Sequence, residues 1–539
     1  MNIEEATQLL QQEFQHNISP LVWSVAGSDN TAGAGIQADN KVFERFGVRA
    51  GNIVTAITAQ NHTGLLASHI ASHTVFDEQW RALAQQEQPA VIKLGMLASE
   101  DIVHALIAKL SISDAKVICD PVMKASSGGS LLQGNGKALY HQLLHYVHVL
   151  TPNQHEFCEL FSVQAHSLDE LMEAALDVSR LFSIDLIITG GESLFAVSGQ
   201  HELIDKAVDV CVIEGESFFL ESPLQDTTAL HGTGCSFSSA VAASVALGYS
   251  VKEAAVLAKA YLNQGLMASA AEQELIALAQ DVLTGQSANT YPAFQHTQFP
   301  AQMQALPNVI AAYSNEQKLF SAMSKERFPV IDDALGLYPV VDSVEWVQKC
   351  LKAGVKTIQL RVKDVEPTVL DNMVAQAAKL GHEYNARLFI NDYWQLAIKH
   401  KAYGVHLGQE DLEVADMNAI QAAGLHLGLS THSWFEIARA HSLKPSYIAI
   451  GPIYETTTKV MPWQPQGLDN LYEWNHLLSG TYPIVAIGGI NADNAEDVLS
   501  TGVGSIAMVR AITEADDYVL AINQLNACIA SISLSSAEN

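Results

Sequence analysis

The sequence predicts an α/β protein of two units, in which a mostly parallel sheet covered by helices is followed by a (β/α)8 barrel. In residues 20–280, short apolar runs typical of β-strands alternate with helical patterns, and this alternation favours a parallel sheet. From Leu337 onward the same alternation supplies eight strands within roughly two hundred residues, near the small limit for a closed barrel.

The composition supports a compact soluble protein. At 539 residues, with 48% hydrophobic and 16% charged residues, the chain is long enough for two or three domains. A net charge of −29 argues against nucleic-acid and anionic-membrane binding. Six cysteines without a CxxC pair are typical of reduced cytosolic thiols. Because we see no signal peptide and no apolar run of ~20 residues, we expect a cytoplasmic protein.

The domain boundaries follow from where the strand pattern starts and stops. We predict a helical extension over residues 1–18, a first α/β domain over 19–285, a strand-free linker over 286–334 and the barrel over 335–535. The predicted strands of the first domain are Leu21–Ala26, Val91–Leu94, Val117–Cys119, Val147–Leu150 and Leu186–Ile188. The apolar run Cys235–Leu247 predicts a buried helix.

Polar residues lie at the carboxyl ends of the barrel strands, which is where such barrels keep their active sites. The predicted strands are Leu337–Val341, Thr357–Leu360, Arg387–Ile390, Gly404–Leu407, His426–Leu429, Tyr447–Ile450, Ile484–Ile487 and Ser505–Met508. The polar groups are Gln359, Arg361, Lys363, Asn391, Asp392, Asp411, Ser430, Thr456, Thr458 and Lys459. Cations, acids and hydroxyls that converge at one mouth suit a magnesium-bound diphosphate.

A phosphate cup is predicted after the last two strands, at Gly488-Gly489 and at Val509-Arg510. Taken singly, each signal has an ordinary explanation, since a Gly-Gly pair is often a plain turn and a strand-end Asp is often a helix cap. The coincidence of all of them favours an active site.

At these residues the barrel resembles thiamine-phosphate synthase, through QLRxK, ND, HLGQED and TxTK motifs over residues 335–530. The resemblance implies that Gln359, Arg361, Lys363, Asn391 and Lys459 hold the diphosphate of hydroxymethylpyrimidine diphosphate, with Arg361 and Lys459 as catalytic cations. It implies Mg²⁺ at Asp392 and Asp411, and the pyrimidine near Ser430. It also implies the thiazole partner near Thr456 and Thr458, with its phosphate near Gly488, Gly489, Val509 and Arg510.

In the first domain the strongest signal is His231-Gly-Thr-Gly-Cys235 at the start of a predicted helix. Free N–H groups and the helix dipole suit a phosphoryl group, and a thiol at a helix N-terminus is expected to have a lowered pKa. The alternative is a glycine-rich entry to a packed helix with an inert cysteine. Other motifs follow further strands: AGSD from Ala26, GAGIQAD from Gly33, KLGML from Lys93, DPVM from Asp120 and TPNQHE from Thr151.

Together these motifs resemble the ribokinase-like hydroxymethylpyrimidine and phosphomethylpyrimidine kinases over most of residues 20–270. The resemblance implies a pyrimidine pocket at Gly27, Asp39, Gln60 and Met96, with Cys235 as the base and Gly232–Cys235 as an anion hole that includes Gly232 and Gly234. Nucleotide and Mg²⁺ contacts would come from Asn153, Glu156, Thr189, Gly191 and Thr233, although Glu156 could equally be a first-turn helix charge. The chain departs from the family at Thr189, where Lys is usual, and in the loop Lys124–Ser130.

The two resemblances imply a bifunctional enzyme of thiamine biosynthesis with ATP and Mg²⁺. Its partners would be small molecules, namely hydroxymethylpyrimidine and its phosphates, thiazole phosphate and ATP, and the sequence leaves a homo-oligomer open. Two alternatives remain: a first domain that only binds pyrimidine phosphate, and a barrel that acts as an isomerase-like relative of the synthase.

Overall fold

The structure is a computed structural model that describes residues 19–61, 64–123, 132, 135–190, 206–283, 293–311, 327–456 and 464–537. The chain divides into two compact units, residues 1–314 and residues 315–539. The predicted helical extension over 1–18 and the loop Lys124–Ser130 lie outside the described residues.

The first unit is built on a ten-stranded sheet in the order β10-β9-β8-β7-β6-β5-β4-β1-β2-β3. The strands are β1 (Leu21–Asp29), β2 (Arg49–Asn61), β3 (Gly64–Ile70), β4 (Val91–Leu94), β5 (Lys116–Cys119), β6 (Val149–Leu150), β7 (Asp185–Ile188), β8 (Lys206–Ile213), β9 (Glu216–Pro223) and β10 (Asn308–Ala311). The six central strands, in the order β2-β1-β4-β5-β6-β7, pair in parallel. At one edge β3 pairs antiparallel with β2, and at the other edge β8, β9 and β10 are antiparallel to their neighbours. Because the central strands are parallel, their carboxyl ends lie together at one edge of the sheet.

Helices connect the parallel strands. They are α1 (Gly35–Arg45), α2 (His73–Ala84), α3 (Glu100–Leu110), α4 (Gly136–Leu143), α5 (Gln154–Phe161), α6 (Leu168–Phe182), α7 (Thr233–Ala246) and α8 (Val251–Leu283). Helix α7 is buried from Ser236 to Val245, as the Ala- and Ser-rich run predicts, because small side chains let it pack closely against its neighbours.

All five strands predicted for the first unit are confirmed, but the strand-free linker is wrong at β10. Asn308–Ala311 pairs antiparallel with β9, and the Phe294 ring is buried against Gly265 of α8, where a Cβ would lie 2.3 Å from it. A four-residue strand beside prolines is too short to give a periodic signal. The sequence pattern also missed β2 and the antiparallel strands β3, β8 and β9.

The second unit is a closed barrel of eight parallel strands in sequence order, and all eight predicted strands are confirmed. They are β11 (Gly336–Val341), β12 (Thr357–Leu360), β13 (Arg387–Asn391), β14 (Gly404–Leu407), β15 (His426–Thr431), β16 (Tyr447–Ile450), β17 (Ile484–Ile487) and β18 (Ser505–Met508). The helices are α9 (Val344–Lys352), α10 (Pro367–Glu383), α11 (Trp394–Lys399), α12 (Met417–Ala422), α13 (Trp434–Leu443), α14 (Gly467–Leu478), α15 (Ala495–Ser500), α16 (Arg510–Thr513) and α17 (Tyr518–Ala537).

Aromatic rings fill the barrel interior. Tyr447 packs edge-on against Phe389 and Tyr338, with ring centroids 5.1 and 5.9 Å apart. Ile331 and Leu335, which precede β11, are buried against the same cluster. Side chains therefore fill the barrel below its mouth and hold the polar rim above a solid core. In the described part of the chain, no helix is both long and apolar enough to cross a membrane.

Replacing Gly428 with alanine should destabilise the barrel, because the new Cβ would lie 2.1 Å from Cζ of Tyr447 and 2.4 Å from its hydroxyl oxygen. Overpacking of this kind costs about 1–3 kcal/mol of unfolding free energy, measurable by denaturant unfolding of the full chain. Gly480→Ala is the matched control, since its Cβ would meet nothing within 4 Å. Equal stability of the two variants would contradict this packing.

Candidate active sites

In the first unit, the carboxyl ends of the parallel strands open into a cavity of about 490 Å³. Residues at or just after the carboxyl ends of β1, β2, β4, β5, β6 and β7 line it, together with the start of α7. The predicted residues that line it are Gly27, Gln60, Met96, Asn153, Glu156, Thr189, Gly232, Thr233, Gly234 and Cys235. Gly191 lies outside the described residues.

The start of α7 is in backbone contact with the loop after β1. Gly232 caps the helix with φ of 82°, and a Cβ there would lie 1.8 Å from the carbonyl oxygen of Gly33. Both the positive φ and the close approach require glycine. Gly234, in contrast, faces open space, so the first turn of α7 presents accessible backbone to the cavity.

The structure corrects the predicted role of Asp39, which does not line the cavity. Its side chain is fully buried and accepts hydrogen bonds from Lys93 Nζ at 2.9 Å, Ser24 Oγ at 2.5 Å and Ser239 Oγ at 2.7 Å. A buried carboxylate needs such partners. Burial lowers the pKa of Lys93, but the Asp39 charge raises it above its ordinary value. Asp39 therefore stabilises the buried ammonium group of Lys93 and does not face the cavity.

The expectation of a lowered thiol pKa at Cys235 is also wrong for this structure. Burial raises the pKa of Cys235 to about 12, against the opposing charge of Lys93. The thiol hydrogen-bonds the Asp120 carboxylate, and the Gly35 N–H is directed at its sulfur. Burial therefore favours the neutral thiol of Cys235 in the ligand-free chain.

Asp29, the acid of the AGSD motif, organises the loop that meets the start of α7. Asp29 Oδ2 lies 3.0 Å from His231 Nε2 and accepts the Ala34 N–H at 2.9 Å. Although burial opposes it, hydrogen bonds from His231 and Thr31 hold the pKa of Asp29 below its ordinary value. Asp29 therefore joins the loop after β1 to the residue that precedes the anion-hole glycines.

Two further carboxyl groups, those of Asp120 and Glu156, line the same cavity as Cys235. Glu156 forms a capping box with Asn153, in which the Glu156 side chain accepts the Asn153 N–H at 2.9 Å and the Asn153 side chain accepts the Glu156 N–H at 2.9 Å. Glu156 therefore does cap the first turn of α5, as the alternative interpretation predicts. Its side chain also lines the cavity. Burial raises the pKa of both Asp120 and Glu156, and the Asp120 charge raises that of Glu156 further.

In the second unit, the parallel strands bring the predicted residues to the carboxyl-terminal rim of the barrel. Gln359 and Asn391 are buried at the ends of β12 and β13. Lys363 Nζ lies 2.5 Å from Asp392 Oδ2, and Ser430 lies within β15. Thr456 lies in the loop after β16, while Thr458 and Lys459 fall outside the described residues.

Asp392 and Asp411 form a carboxylate pair at this rim. Burial and the adjacent Asp392 carboxylate raise the pKa of Asp411, whose Oδ2 also accepts the Gly408 N–H at 2.9 Å. Across the described ranges, no group of three or more acidic, histidine or cysteine side chains could hold a metal ion. The pair nevertheless fits Mg²⁺, which is commonly held by one or two carboxylates plus substrate phosphate and water.

A buried hydrogen-bond chain, not anticipated from the sequence, crosses the barrel beneath the rim. Gln359 Nε2 lies 3.1 Å from the Tyr338 hydroxyl, which lies 2.8 Å from the Tyr447 hydroxyl. His406 Nδ1 lies 2.7 Å from the Tyr447 hydroxyl, and His406 Nε2 lies 2.8 Å from Ser430 Oγ. Burial lowers the pKa of His406 to about 4, against the opposing charge of Asp392, and this favours the neutral imidazole.

The predicted phosphate cup consists of two turns on adjacent strands. Gly488 and Gly489 have φ of 102° and 68°, and a Cβ on Gly489 would lie 2.7 Å from the Glu455 carbonyl oxygen. Val509 precedes the short helix α16, whose first residue, Arg510, is exposed. Both turns leave backbone N–H groups near the rim, where an anion can approach.

Comparison with known proteins decides the family. Residues 330–512 match the family model for thiamine monophosphate synthase, and the thiamine-phosphate synthase of Citrobacter koseri is 58% identical over 203 residues, 38% of this chain and 96% of that protein. The chain belongs to the thiamine-phosphate synthase family. Residues 29–276 match the family model for phosphomethylpyrimidine kinase. The protein is therefore a bifunctional kinase and transferase of thiamine biosynthesis, and a purely binding first unit is not favoured.

Solved structures also resemble the first unit. A pyridoxal kinase from Staphylococcus aureus, solved with AMP-PCP and pyridoxal, is 28% identical with a TM-score of 0.41, covering 46% of this chain and 88% of that one. A phosphomethylpyrimidine kinase from Clostridium difficile is 29% identical with a TM-score of 0.40, covering 46% and 99%. The kinase and synthase families act on small molecules and use ATP and Mg²⁺ in general.

The raised pKa predicts slow alkylation of Cys235 by iodoacetamide. Only the thiolate reacts, and a thiol pKa of about 12 means little thiolate at neutral pH. The alkylation rate should therefore keep rising about tenfold per pH unit through pH 10, measured by peptide mass spectrometry on the ligand-free chain. Free cysteine is the control, since its rate levels off near its ordinary pKa. A plateau for Cys235 at or below pH 9 would contradict the neutral thiol.

Proposed function

We propose that the first unit phosphorylates hydroxymethylpyrimidine and then its monophosphate with MgATP. The second unit then couples the resulting diphosphate to thiazole phosphate, giving thiamine phosphate and diphosphate. The observation that carries the proposal is the pairing, on one chain, of a cavity at a glycine-rich helix start with a barrel rim of cations and paired carboxylates. The product of the first site is the substrate of the second.

In the kinase cavity, Gly27, Gln60 and Met96 contact the pyrimidine. This assignment is supported by the close approach of Gly27 and Met96, since a Cβ on Gly27 would lie 2.9 Å from Met96 Sδ. The first turn of α7, from Gly232 to Cys235, donates backbone N–H groups to the phosphoryl group in transfer.

Cys235 accepts the proton of the substrate hydroxyl. Its thiol is neutral in the ligand-free chain, so this role requires a change in local charge. Asp120 and Glu156 are the residues that would hold Mg²⁺, and a cation there would offset the negative charge that disfavours the thiolate. Asn153, Thr189, Thr233 and Gly191 contact the nucleotide phosphates.

At the barrel rim, Arg361, Lys363, Asn391, Gln359 and Lys459 hold the diphosphate of the pyrimidine substrate. Asp392 and Asp411 would hold Mg²⁺, which supplies charge stabilisation to the departing diphosphate. Lys363, now paired with Asp392, and Arg361 meet the negative charge that develops as the bond to the leaving group breaks. The electron-rich aminopyrimidine carries the matching positive charge, so no protein nucleophile is needed.

Ser430 contacts the pyrimidine, and Thr456 and Thr458 lie beside the thiazole phosphate, whose phosphate rests on Gly488, Gly489, Val509 and Arg510. The thiazole nitrogen attacks the benzylic-type carbon. The carboxylate pair favours this reaction over isomerase chemistry, because an isomerase has no diphosphate that requires Mg²⁺. We place the protein in the cytoplasm, with ATP and the pyrimidine and thiazole phosphates as its partners.

One assay tests the whole proposal. The intact chain is incubated with hydroxymethylpyrimidine, thiazole phosphate, ATP and Mg²⁺, and thiamine phosphate is followed over time. Omission of ATP should stop the reaction, and added hydroxymethylpyrimidine diphosphate should restore it. Binding of the pyrimidine without any ATP turnover would instead identify the first unit as a binding module.

Asp392→Asn should remove most synthase activity and leave the kinase activity intact, because the carboxylate that would bind Mg²⁺ beside the leaving group is lost. The two activities are measured separately, with hydroxymethylpyrimidine diphosphate for the synthase and hydroxymethylpyrimidine for the kinase. Asp333→Asn, at an exposed position just before β11, is the control for an ordinary surface acid. An equal loss of both activities in Asp392→Asn would rule out two independent sites.

Thr189→Lys should lower the KM for ATP or raise kcat in the kinase reaction. Thr189 lines the cavity and offers only a hydroxyl, whereas a lysine there would bring a full charge to the nucleotide phosphates. Cys235→Ala should instead lower kcat with nearly unchanged pyrimidine binding. If Thr189→Lys left both ATP parameters unchanged, Thr189 would lie away from the phosphates.

A further inference from the structure

We infer that Tyr338, Tyr447 and His406 form a hydrogen-bond relay of one fixed polarity that leaves the Ser430 hydroxyl free to donate to the substrate. These three are positioning residues, since the relay reaches the substrate only through Ser430 and Gln359. The inference rests on the proposed place of Ser430 beside the pyrimidine. The inference adds that Ser430 is the donor in its hydrogen bond with the substrate, and that Tyr338, Tyr447 and His406 impose this direction.

The relay has four consecutive links between 2.7 and 3.1 Å, from Gln359 through Tyr338, Tyr447 and His406 to Ser430. It joins β12 to β15, which lie three strands apart in the barrel. The two ends are residues of the proposed substrate site, whereas the three middle residues are buried beneath it, with exposures of 1%, 0% and 8%.

Counting protons fixes the polarity. Gln359 Nε2 can only donate, so the Tyr338 oxygen accepts from it and uses its single proton toward Tyr447. Tyr447 in turn donates its single proton to His406 Nδ1. Because His406 accepts at Nδ1, it has no proton on that nitrogen and carries its single proton on Nε2, and this N–H donates to Ser430 Oγ.

Ser430 therefore accepts from inside the barrel and keeps its own O–H for the rim. The hydroxyl is set to meet a hydrogen-bond acceptor on the substrate, while Gln359, at the other end of the relay, retains its carbonyl oxygen as an acceptor. The opposite polarity would need two coordinated changes: the Gln359 oxygen turned toward Tyr338, and the His406 proton moved to Nδ1.

Packing keeps the relay in place. The His406 ring stacks on Tyr447 with an interplanar angle of 25°, and the Phe389 ring packs edge-on against Tyr447. Gly428 leaves the space that the Tyr447 hydroxyl occupies, since a Cβ there would lie 2.4 Å from that oxygen. This packing holds the Tyr447 hydroxyl oxygen 2.7 Å from His406 Nδ1, which accepts the phenol proton in the relay.

The relay is tested first without substrate. The full chain is labelled with ¹⁵N-histidine, and the His406 signals are identified by difference with His406→Gln and with Tyr447→Phe. We expect the neutral Nε2–H tautomer in the wild-type chain and loss of that tautomer signature in Tyr447→Phe. An Nδ1–H tautomer in the wild-type chain would overturn the inference. This readout does not depend on synthase activity, so failure of the proposed function would be recognised separately.

The second measurement is synthase kinetics with hydroxymethylpyrimidine diphosphate and thiazole phosphate. Tyr447→Phe should lower kcat/KM for the pyrimidine substrate about tenfold, with the KM for thiazole phosphate unchanged, and Tyr338→Phe should have a smaller effect in the same direction. Tyr403→Phe is the control: it removes a phenol from the same barrel, where Tyr403 stacks on His426 outside the relay. Wild-type kinetics in Tyr447→Phe, or equal losses in Tyr447→Phe and Tyr403→Phe, would overturn a positioning role.

Discussion

Parallel strand pairing is the constraint on which both sites depend. In a parallel ladder the carboxyl ends of neighbouring strands lie on the same side, so residues far apart in the sequence meet there. In the first unit this brings Met96, Asp120 and Thr189 to one cavity. In the barrel it brings Gln359 and Ser430 to one rim. Each site is formed at one edge of a sheet that the hydrophobic core already requires. Neither site therefore needs a separate structural element to hold it.

The two sites also share an electrostatic design. Each brings two carboxyl groups together: burial raises the pKa of Asp120 and Glu156 in one unit, and burial with the neighbouring Asp392 charge raises the pKa of Asp411 in the other. Such pairs are unfavourable alone and become favourable when a divalent cation shares them. Positive groups lie nearby in both cases: Lys93 is buried with Asp39, and Lys363 lies on Asp392. Local charge, not the net charge of the chain, governs anion binding here.

The barrel strands could be predicted from sequence because each is a short apolar run that ends in polar residues. The antiparallel edges of the first sheet could not, since β3 is largely exposed and β10 is only four residues long. Motifs located most of the cavity-lining residues, but not what each side chain contacts. Asp39 lies in a matching motif yet accepts hydrogen bonds from three buried donors, and the strand pattern that begins at Tyr447 carries no sign of its hydroxyl partners. Such partners depend on distances between strands that no local pattern encodes.

The edge strand β10 has a practical consequence for dividing the two enzymes. Its pairing partner β9 carries Phe218, Phe219 and Leu220, which are buried. A kinase fragment that ends near residue 290 would lack β10 and expose the hydrogen-bonding edge of β9, a surface that invites aggregation. Such a fragment could lose solubility for reasons unrelated to catalysis. A fragment extended through Ala311 would keep this edge covered, so the first half of the apparent linker belongs with the kinase when the chain is cut or fused.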